Sequence, residues 1–479
     1  MDVSVSQSTI PVVADLDGTL ITGDLAWEGL FQMLRQRPWL LFMVPIWMLI
    51  GRARLKHEIA ERVELDAQSL LYRKSVVELL TAARADGRPI VLATGASKRF
   101  ALAVARHLGL FDRVLSSTRT TNLTASRKAG ELQMLYGTGG FDYIGNSADD
   151  IAIFEVARHS VVVAPDKKAR RWQFSHDADL IETEKRSWRT VVRMLRVHQW
   201  LKNVLIFVPL ILDHKLGQAD LVMDAIVAFV AFSATASAIY ILNDFFDLSI
   251  DRRHPRKRRR PFASGVLQIP FGLASMGVLL AIAAVAAATL NPLFQLVLVG
   301  YLVMTTAYSV AMKRMLLIDV FVLAGLYAMR ILAGTVAIAA EPSFWLLAFS
   351  IFFFMSLALA KRYVELDQTD VPDGERIAGR GYRTEDKPIL SAAGIGAGST
   401  AALVLALYIN SPDVYRNYFH SWMIWPLAPI ILYIILRIWV LAGRGELHDD
   451  PVVFIISDWR SQLMIAVASA LLLAAAVPW

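Results

Sequence analysis

Asn243, Asp244, Asp247 and Asp251 stand where a long apolar run, from about Leu221 to Leu242, gives way to charge. On a helix that continues past the run, residues three and four apart share a face, so the spacing predicts three carboxylates converging at a membrane surface. Carboxylates brought together repel one another unless a cation lies among them. Hard oxygen donors of this kind suit Mg²⁺, with phosphate oxygens in its remaining positions. Directly downstream, Arg252 to Pro261 forms a basic loop, with Arg258 near its middle, that suits anionic ligands. The plainer reading of the same residues is an acidic helix end followed by a positive cytoplasmic loop.

A second set of chemical residues lies near the N-terminus, at the ends of short β-rich runs. Val12 to Ala14 leads into Asp15-Leu16-Asp17-Gly18-Thr19-Leu20, Ile90 to Ala93 into Thr94-Gly95-Ala96-Ser97, and Tyr143 to Ile144 into Gly145-Asn146-Ser147-Ala148-Asp149-Asp150. Helical patterns such as Ser97 to Leu108 and Asp149 to Ala157 separate the runs, the alternation of an α/β domain over residues 1 to about 190. In an open parallel sheet the strand C-termini meet at one edge, so the three polar clusters are expected to form a single site.

The elements that carry both sets follow from composition. With 479 residues, 56% of them hydrophobic, and a mean hydropathy of +0.46, the chain is too apolar for a soluble protein. About nine apolar runs near spanning length are expected, at 203–217, 221–243, 269–288, 293–311, 317–339, 343–360, 389–409, 420–441 and 460–478. The positive charge of +7 concentrates in particular turns: Arg252 to Arg260, Lys313 to Arg314, Lys361 to Lys387 and Arg444 to Arg460. By the positive-inside rule these turns, the acidic motif and the N-terminal domain face the cytoplasm, and nucleic acid is excluded as a partner. The opening residues MDVSVSQSTI lack the basic-then-apolar signature of a signal peptide, which agrees with that orientation. No cysteine is present, so disulfides and thiolate metal sites are excluded.

Nearly the whole N-terminal domain resembles the haloacid dehalogenase superfamily of phosphatases, most specifically in Asp15-x-Asp17-Gly18-Thr19 after a strand. The resemblance implies a Rossmann-like α/β fold with a helical cap. It makes Asp15 the nucleophile that forms an aspartyl phosphate, and Asp17 the acid for the leaving alkoxide and then the base for water. Thr94 and Lys128 would hold the phosphoryl oxygens, and Asp15, the Asp17 carbonyl, Asn146 and Asp150 would bind Mg²⁺. One departure from the family pattern stands out: Asn146 occupies the first acidic position of the last motif, where a neutral amide binds Mg²⁺ more weakly than a carboxylate.

A helical insertion from about residue 25 to 87 takes the place of the cap. It contains the apolar stretch from Pro38 to Ile50, which is too short to span a bilayer. That stretch reads equally as a buried cap helix or, with Trp39, Trp47 and the following Arg52, Arg54 and Lys56, as an interfacial helix.

A basic linker at 191–202 ends the head, and the membrane part runs from 203 to 479, opening on Lys202-Asn203. Tyr308, Lys313 and Arg314 close the fourth span, and Lys361, Arg362 and Glu365 close the sixth. Asp319 and Arg330 lie three helical turns apart on one face of the fifth. Ionisable residues at such depth point into the bundle and mark a ligand path, unless they neutralise each other. Gly394, Gly396 and Gly398 form a string within a span, where small residues serve helix packing.

From His198 onward the chain resembles the UbiA superfamily of intramembrane transferases, an all-α polytopic bundle, most specifically in Asn243-Asp244-x-x-Asp247-x-x-x-Asp251. It is similar to that superfamily's decaprenyl-phosphate phosphoribosyltransferase branch in His198 to Asn203, in Asp251 to Gly265 and in Lys361 to Glu365. Typical prenyltransferases carry a second Asp-x-x-x-Asp motif where this chain has Lys361, Arg362 and Glu365. The resemblance implies a multi-pass protein of a bacterial-type inner membrane whose partners are the bilayer, polyprenyl phosphate and phosphoribosyl pyrophosphate. Asp244, Asp247 and Asp251 would hold Mg²⁺. Lys202, Asn203, Asn243, Arg258, Tyr308, Lys313, Arg314, Arg330, Lys361, Arg362 and Glu365 would bind substrate. The expected reaction moves phosphoribose to the lipid phosphate, and the fused phosphatase then removes the 5-phosphate. Two alternatives stay open: prenyl transfer from a polyprenyl diphosphate to another acceptor beneath a regulatory or degenerate head, and a transporter with a regulatory head.

Overall fold

The structure is a computed structural model and describes residues 10–182, 187–368, 381–411, 414, 418–447 and 450–477. Part of the basic turn expected between Lys361 and Lys387 and part of the linker after the head lie outside the described residues. The chain divides into two compact units, Met1–Leu195 with Ile241–Ala274, and Arg196–Tyr240 with Ser275–Trp479. The stretch that carries the acidic motif, Ile241–Ala274, groups with the head in the first unit.

The first unit is built on six parallel strands, β1 (Val12–Ala14), β2 (Ile90–Ser97), β3 (Arg113–Ser117), β4 (Asp142–Gly145), β5 (His159–Val163) and β6 (Asp179–Ile181), in the order β3-β2-β1-β4-β5-β6. Successive side chains of a strand point to opposite faces, and here both faces are covered. Val12, Ala14, Ile90, Leu92, Ile144, Val161 and Val163 enter one core, and Val13, Val91, Ala93, Tyr143 and Val162 enter the other. Ala14 is in register with Leu92 on one side and Ile144 on the other, which brings the ends of β1, β2 and β4 level. Strand order reverses at β1, the switch point where such sheets open a ligand crevice.

Between β1 and β2 the insertion folds as a helical cap: Leu25–Gln36, Pro38–Met43, Val44–Ile50, Arg52–Arg62 and Lys74–Ala85. Asp24 caps the first of these, its carboxylate accepting from the amides of Ala26 and Trp27. The stretch from Pro38 to Ile50 is not a buried core helix. Of its residues only Trp47 is buried, while Leu40 and Val44 pack partly against the core.

The second unit is helical. Over the whole chain, eight helices among the described residues are long and apolar enough to cross a membrane, and the pair Trp188–Leu195 and Val197–Leu212 makes a ninth if it counts as one broken span. The run expected as a single first span near 203–217 is instead a 3₁₀ stretch, Val197–Phe207, followed by the short helix Val208–Leu212. Helix Ile318–Ala337 is largely enclosed, and a Cβ at its Gly334 would lie 2.0 Å from the Ile206 carbonyl oxygen, so only glycine permits that approach. The glycine string also serves packing: Gly394 rests on the Trp439 indole and Gly398 on Ile435, while Gly396 faces open space.

Candidate functional sites

In the head, the chain leaves β1 at Asp15 and turns at Gly18, whose φ of 78° favours glycine. Asp15, Asp17, Lys128, Asn146 and Asp150 line one cavity of about 320 Å³, to which the cap contributes Lys56. Lys128, fully enclosed on the helix Ala125–Tyr136, donates from Nζ to Asp15 Oδ1 and to Asp150 Oδ1, each at 2.9 Å. Asp150 is fully engaged. Its Oδ1 also accepts from the Tyr143 hydroxyl (2.7 Å), and its Oδ2 accepts from the amides of Asn146 and Ser147 and from Ser147 Oγ. Thr19 Oγ1 lies 3.4 Å from Asp15 Oδ2 and 3.3 Å from Asn146 Oδ1. Asp17 Oδ1 accepts from the Leu25 amide at 2.9 Å. Thr94 is buried and off the cavity wall, where its hydroxyl accepts from the Ala96 amide.

Electrostatics divide the two lead carboxylates. Burial pushes Asp15 up to about 6, against the pull of Lys128. Burial also holds Asp17 well above the usual carboxylate range, with Asp24 adding to it, which favours the protonated form that a general acid needs. Asp150 goes the other way: burial alone would raise it, but Lys128, Tyr143 and the Asn146 amide hold it low.

The acidic motif belongs to the same unit. Helix Ala219–Phe246 ends just before Asp247, whose φ of −100° and ψ of 8° break the helix before Leu248–Arg253 begins. The predicted convergence of three carboxylates is therefore partial. Arg260 Nη1 joins Asp251 Oδ2 (2.6 Å) to Asp244 Oδ1 (3.3 Å), while Asp247 turns toward Arg35 of the cap at 3.8 Å. Burial raises the Asp251 carboxyl even beside Arg260. Asn243 Oδ1 is buried with no hydrogen-bond partner, and Arg258 is exposed on the basic loop. Arg252 lines the head cavity and makes a forked ion pair with Glu28 of the cap, at 2.7 and 2.8 Å.

Both acidic clusters offer hard oxygen donors that fit Mg²⁺, and in each a cationic side chain stands between carboxylates. Among the described residues no three His, Cys, Asp or Glu groups gather as a ready-made metal cage.

In the second unit, Lys202 and Lys361 each place Nζ 2.8 Å from Asp450 Oδ2. Asn203, one residue on, bonds to Ser233 and accepts from Arg330 Nε (2.8 Å), and Arg330 Nη2 reaches the Tyr301 hydroxyl at 3.0 Å. Arg330 also lies over the rings of Tyr301 and Tyr327. Arg362, 2% exposed, is wholly committed: to Asp319 (2.5 Å), to Glu365 and to the Tyr308 hydroxyl (2.9 Å). Asp319 and Arg330 do not neutralise each other, because Arg362 and Tyr382 take Asp319 and Asn203 and Tyr301 take Arg330. Lys313 and Arg314 lie on a 3₁₀ turn, Met312–Arg314.

Residue types and spacing did not single out Asp450, Arg260 or the Glu28–Arg252 pair. The available signals were faint: Asp450 before Pro451 is a helix cap, with its carboxylate on the Val452 amide, and Arg260 is one cation in a run of them.

Comparison with known proteins agrees with both halves. Residues 215–459 match the model of the UbiA prenyltransferase family and residues 12–155 that of haloacid dehalogenase-like hydrolases. An uncharacterised protein, y4nM, of Sinorhizobium fredii is 36% identical over 99% of this chain and 93% of its own length. Nodulation protein NoeC of Azorhizobium caulinodans is 34% identical over 58% of this chain and 90% of its own. A decaprenyl-phosphate phosphoribosyltransferase of Mycobacterium tuberculosis is 37% identical over 37% of this chain and 60% of its own. The chain is thus an integral multi-pass membrane protein that belongs to the UbiA prenyltransferase family and carries an N-terminal haloacid dehalogenase-like domain.

Proposed function

We propose that the membrane unit transfers phosphoribose from phosphoribosyl pyrophosphate to a polyprenyl phosphate, and that the head then removes the 5-phosphate from the lipid product, both on the cytoplasmic side. The observation that carries this reading is the Lys202–Lys361–Asp450 cluster, in which two ammonium groups share one carboxylate and leave a positive charge for an anion. Prenyl transfer to a neutral acceptor brings one anion, the donor diphosphate, whereas phosphoribosyl transfer brings a lipid phosphate and a sugar 5-phosphate as well, so it calls for additional cationic seats. The partial likeness to a decaprenyl-phosphate phosphoribosyltransferase supports the same donor and acceptor.

In the transfer, an oxygen of the lipid phosphate attacks the anomeric carbon, and the bond from that carbon to pyrophosphate breaks. Lys202, Lys361 and Arg330 serve the phosphate groups. Arg362 braces the helix end through Asp319, Glu365 and Tyr308 rather than meeting substrate. Asp244, Asp247 and Asp251 in the motif, and Asp15, the Asp17 carbonyl, Asn146 and Asp150 in the head, would hold Mg²⁺, whose charge would offset that on pyrophosphate and phosphoryl oxygens. In the head, the Asp15 carboxylate attacks phosphorus while Asp17 delivers its proton to the departing sugar oxygen. Asp17 then takes a proton from the water that releases phosphate. Lys128 orients Asp15 and offsets charge on the phosphoryl group. Fusing the two domains raises the effective concentration of the second site for the first product.

Mass spectrometry of lipids tests the reading after purified protein is incubated with Mg²⁺, polyprenyl phosphate and phosphoribosyl pyrophosphate. A polyprenyl-phosphoryl-ribose with release of pyrophosphate and phosphate is expected. Prenyl transfer from a polyprenyl diphosphate, with no product from phosphoribosyl pyrophosphate, would replace this reading with ordinary prenyl transfer.

A further inference from the structure

The cap stretch from Pro38 to Ile50 is apolar on nearly every side, yet only one side is covered by protein. Leu40, Val44 and Trp47, at helical spacing, face the head's core, with the Arg62 guanidinium 4.8 Å over the Trp47 ring. Trp39, Leu41, Ile46, Met48 and Ile50 point outward, as do Phe42 (79% exposed) and Leu49 (88% exposed). A helix apolar all round is normally enclosed, and a contiguous exposed apolar patch marks a surface that something else covers.

The first unit itself indicates what covers it. Phe31, on the cap helix just before the stretch, packs its ring 4.8 Å from Phe245 and 5.9 Å from Phe246, and Arg35 donates to the Phe246 carbonyl oxygen at 3.3 Å. Phe246 ends a helix of membrane-spanning length and composition. Pro38 follows Arg35 by three residues, at most about 10 Å of chain, so the apolar stretch begins close to the residue whose side chain reaches the end of that span. Six 3₁₀ residues and seven α-helical ones make about 23 Å of helix, short of the ~30 Å hydrocarbon core, so the stretch is too short to pass through the membrane. Arg37 and Arg52, both exposed, bracket it with the cations that interfacial segments place among lipid headgroups. Gly51, between the stretch and the helix Arg52–Arg62, has a φ of 143°, a conformation that favours glycine.

We propose that Pro38–Met43 and Val44–Ile50 form a monotopic anchor by which the phosphatase cap dips its outward apolar face into the lipid interface. The cap of a phosphatase head is thereby a second, independent membrane contact of this chain, made through the same insertion that supplies Lys56 to the cavity.

The chain contains no cysteine, so one introduced thiol is labelled uniquely. In the full chain reconstituted into phosphatidylethanolamine–phosphatidylglycerol vesicles, nitroxides go on Phe42→Cys and Leu49→Cys. A third goes on Met134→Cys, an 86% exposed position on the head helix Ala125–Tyr136. The proposal expects dissolved oxygen to relax the labels at 42 and 49 several-fold more than a water-soluble nickel chelate does, with the reverse at 134. Nickel access at 42 and 49 equal to that at 134 overturns it, since the stretch then faces water. Low access to both reagents with spin–spin broadening between copies overturns it too, since a second chain then covers the patch. A second measurement rests on the phosphatase reading above: Phe42→Glu with Leu49→Glu should slow hydrolysis of a lipid-borne phosphomonoester about tenfold and leave that of p-nitrophenyl phosphate unchanged. Equal rates on both substrates in variant and parent count against the anchor, whereas a parent inactive on both counts against the phosphatase reading and leaves the label result to decide the anchor.

Discussion

In the head one lysine is shared by two carboxylates, whereas in the membrane unit one carboxylate is shared by two lysines. Lys128 between Asp15 and Asp150 leaves the head cluster with a negative charge to spare; Asp450 between Lys202 and Lys361 leaves its cluster with a positive one. The carboxylates register the difference. Burial wins at Asp15 and raises it to about 6, while at Asp450 burial is outweighed by Lys361 and Lys202, which hold the carboxyl well below its usual range. Each cluster keeps a leftover charge, and its sign supports the ligands proposed above: a cation with phosphate in the head, an anion in the membrane unit.

The largest effects come from removing the group each chemistry turns on. Asp15→Asn takes away the nucleophile while leaving Lys128 paired to Asp150, so phosphate release should fall on the order of 10⁴-fold or more. The lipid should then accumulate with its 5-phosphate, as seen by mass spectrometry. Unchanged phosphate release would end the assignment of chemistry to this cluster. Asp244→Asn and Asp247→Asn should each lower pyrophosphate release by roughly 10²- to 10³-fold with the head's phosphatase rate intact. A comparable loss in both reactions would mean that the motif supports the fold of its unit and not one reaction.

Much of this was legible in residue order. Short β-rich apolar runs gave the strands, the strand ends gathered Asp15, Asp17 and Asn146, and the longer apolar runs marked the spans. What escaped was set by tertiary contacts. Nothing local says that the helix breaks at Asp247, since its amide still bonds to the Asn243 carbonyl as a continuous helix would require. Lys202 and Asp450 are separated by 248 residues, so no spacing rule connects them. Asp319 and Arg330 share a helix face, yet better-placed partners arrive from other helices. Arg362 sits beside Lys361 in sequence, but successive helical residues project about 100° apart, which sends one to a buried network and the other to Asp450. The stretch from Pro38 to Ile50 was balanced between core and interface because composition alone suits both, and exposure tips the balance.

That separation of Lys361 from Arg362 sharpens the comparison in a middle range of effect. Lys361→Met removes one of the two cations on Asp450 and leaves the other paired, so the protein should remain folded and the leftover positive charge should vanish. Affinity for polyprenyl phosphate should drop about 10- to 100-fold, the worth of one charged hydrogen bond. Arg362→Met strands the buried Asp319 instead, and its loss should appear as destabilisation, about 3 to 5 kcal/mol, rather than as weaker binding. Folded Arg362→Met protein with normal stability and tenfold weaker phosphate binding would return Arg362 to the binding site.

The smallest expected effect tests whether charge count alone makes a site. Asp142, at the start of β4, also carries two cations: Arg158 grips it with a fork at 2.8 and 2.7 Å, and Arg88 bonds to the same carboxylate while donating from Nε to the Ile10 carbonyl oxygen at 2.9 Å. The surplus sign matches the Asp450 cluster, but the location does not. The start of a parallel strand lies at the opposite end of the sheet from Asp15, and both guanidiniums are spent on Asp142 and the backbone. Asp142→Asn should therefore leave phosphatase and transferase rates unchanged and cost the head about 1 to 2 kcal/mol, a few degrees in unfolding temperature. The pH dependence has a definite sign. Burial would raise the Asp142 carboxyl, but Arg158 and Arg88 together hold it below its ordinary value, so the folded state favours the charged form. The stabilisation is fully present above the unfolded value of about 4 and is lost as pH falls through the lower folded value. The gap in unfolding temperature between parent and variant should be constant from about pH 5 upward and should close on acidification. A gap that widens in acid, or a variant that loses phosphatase turnover at an unchanged unfolding temperature, would show that the arginines at this edge act on the chemistry after all.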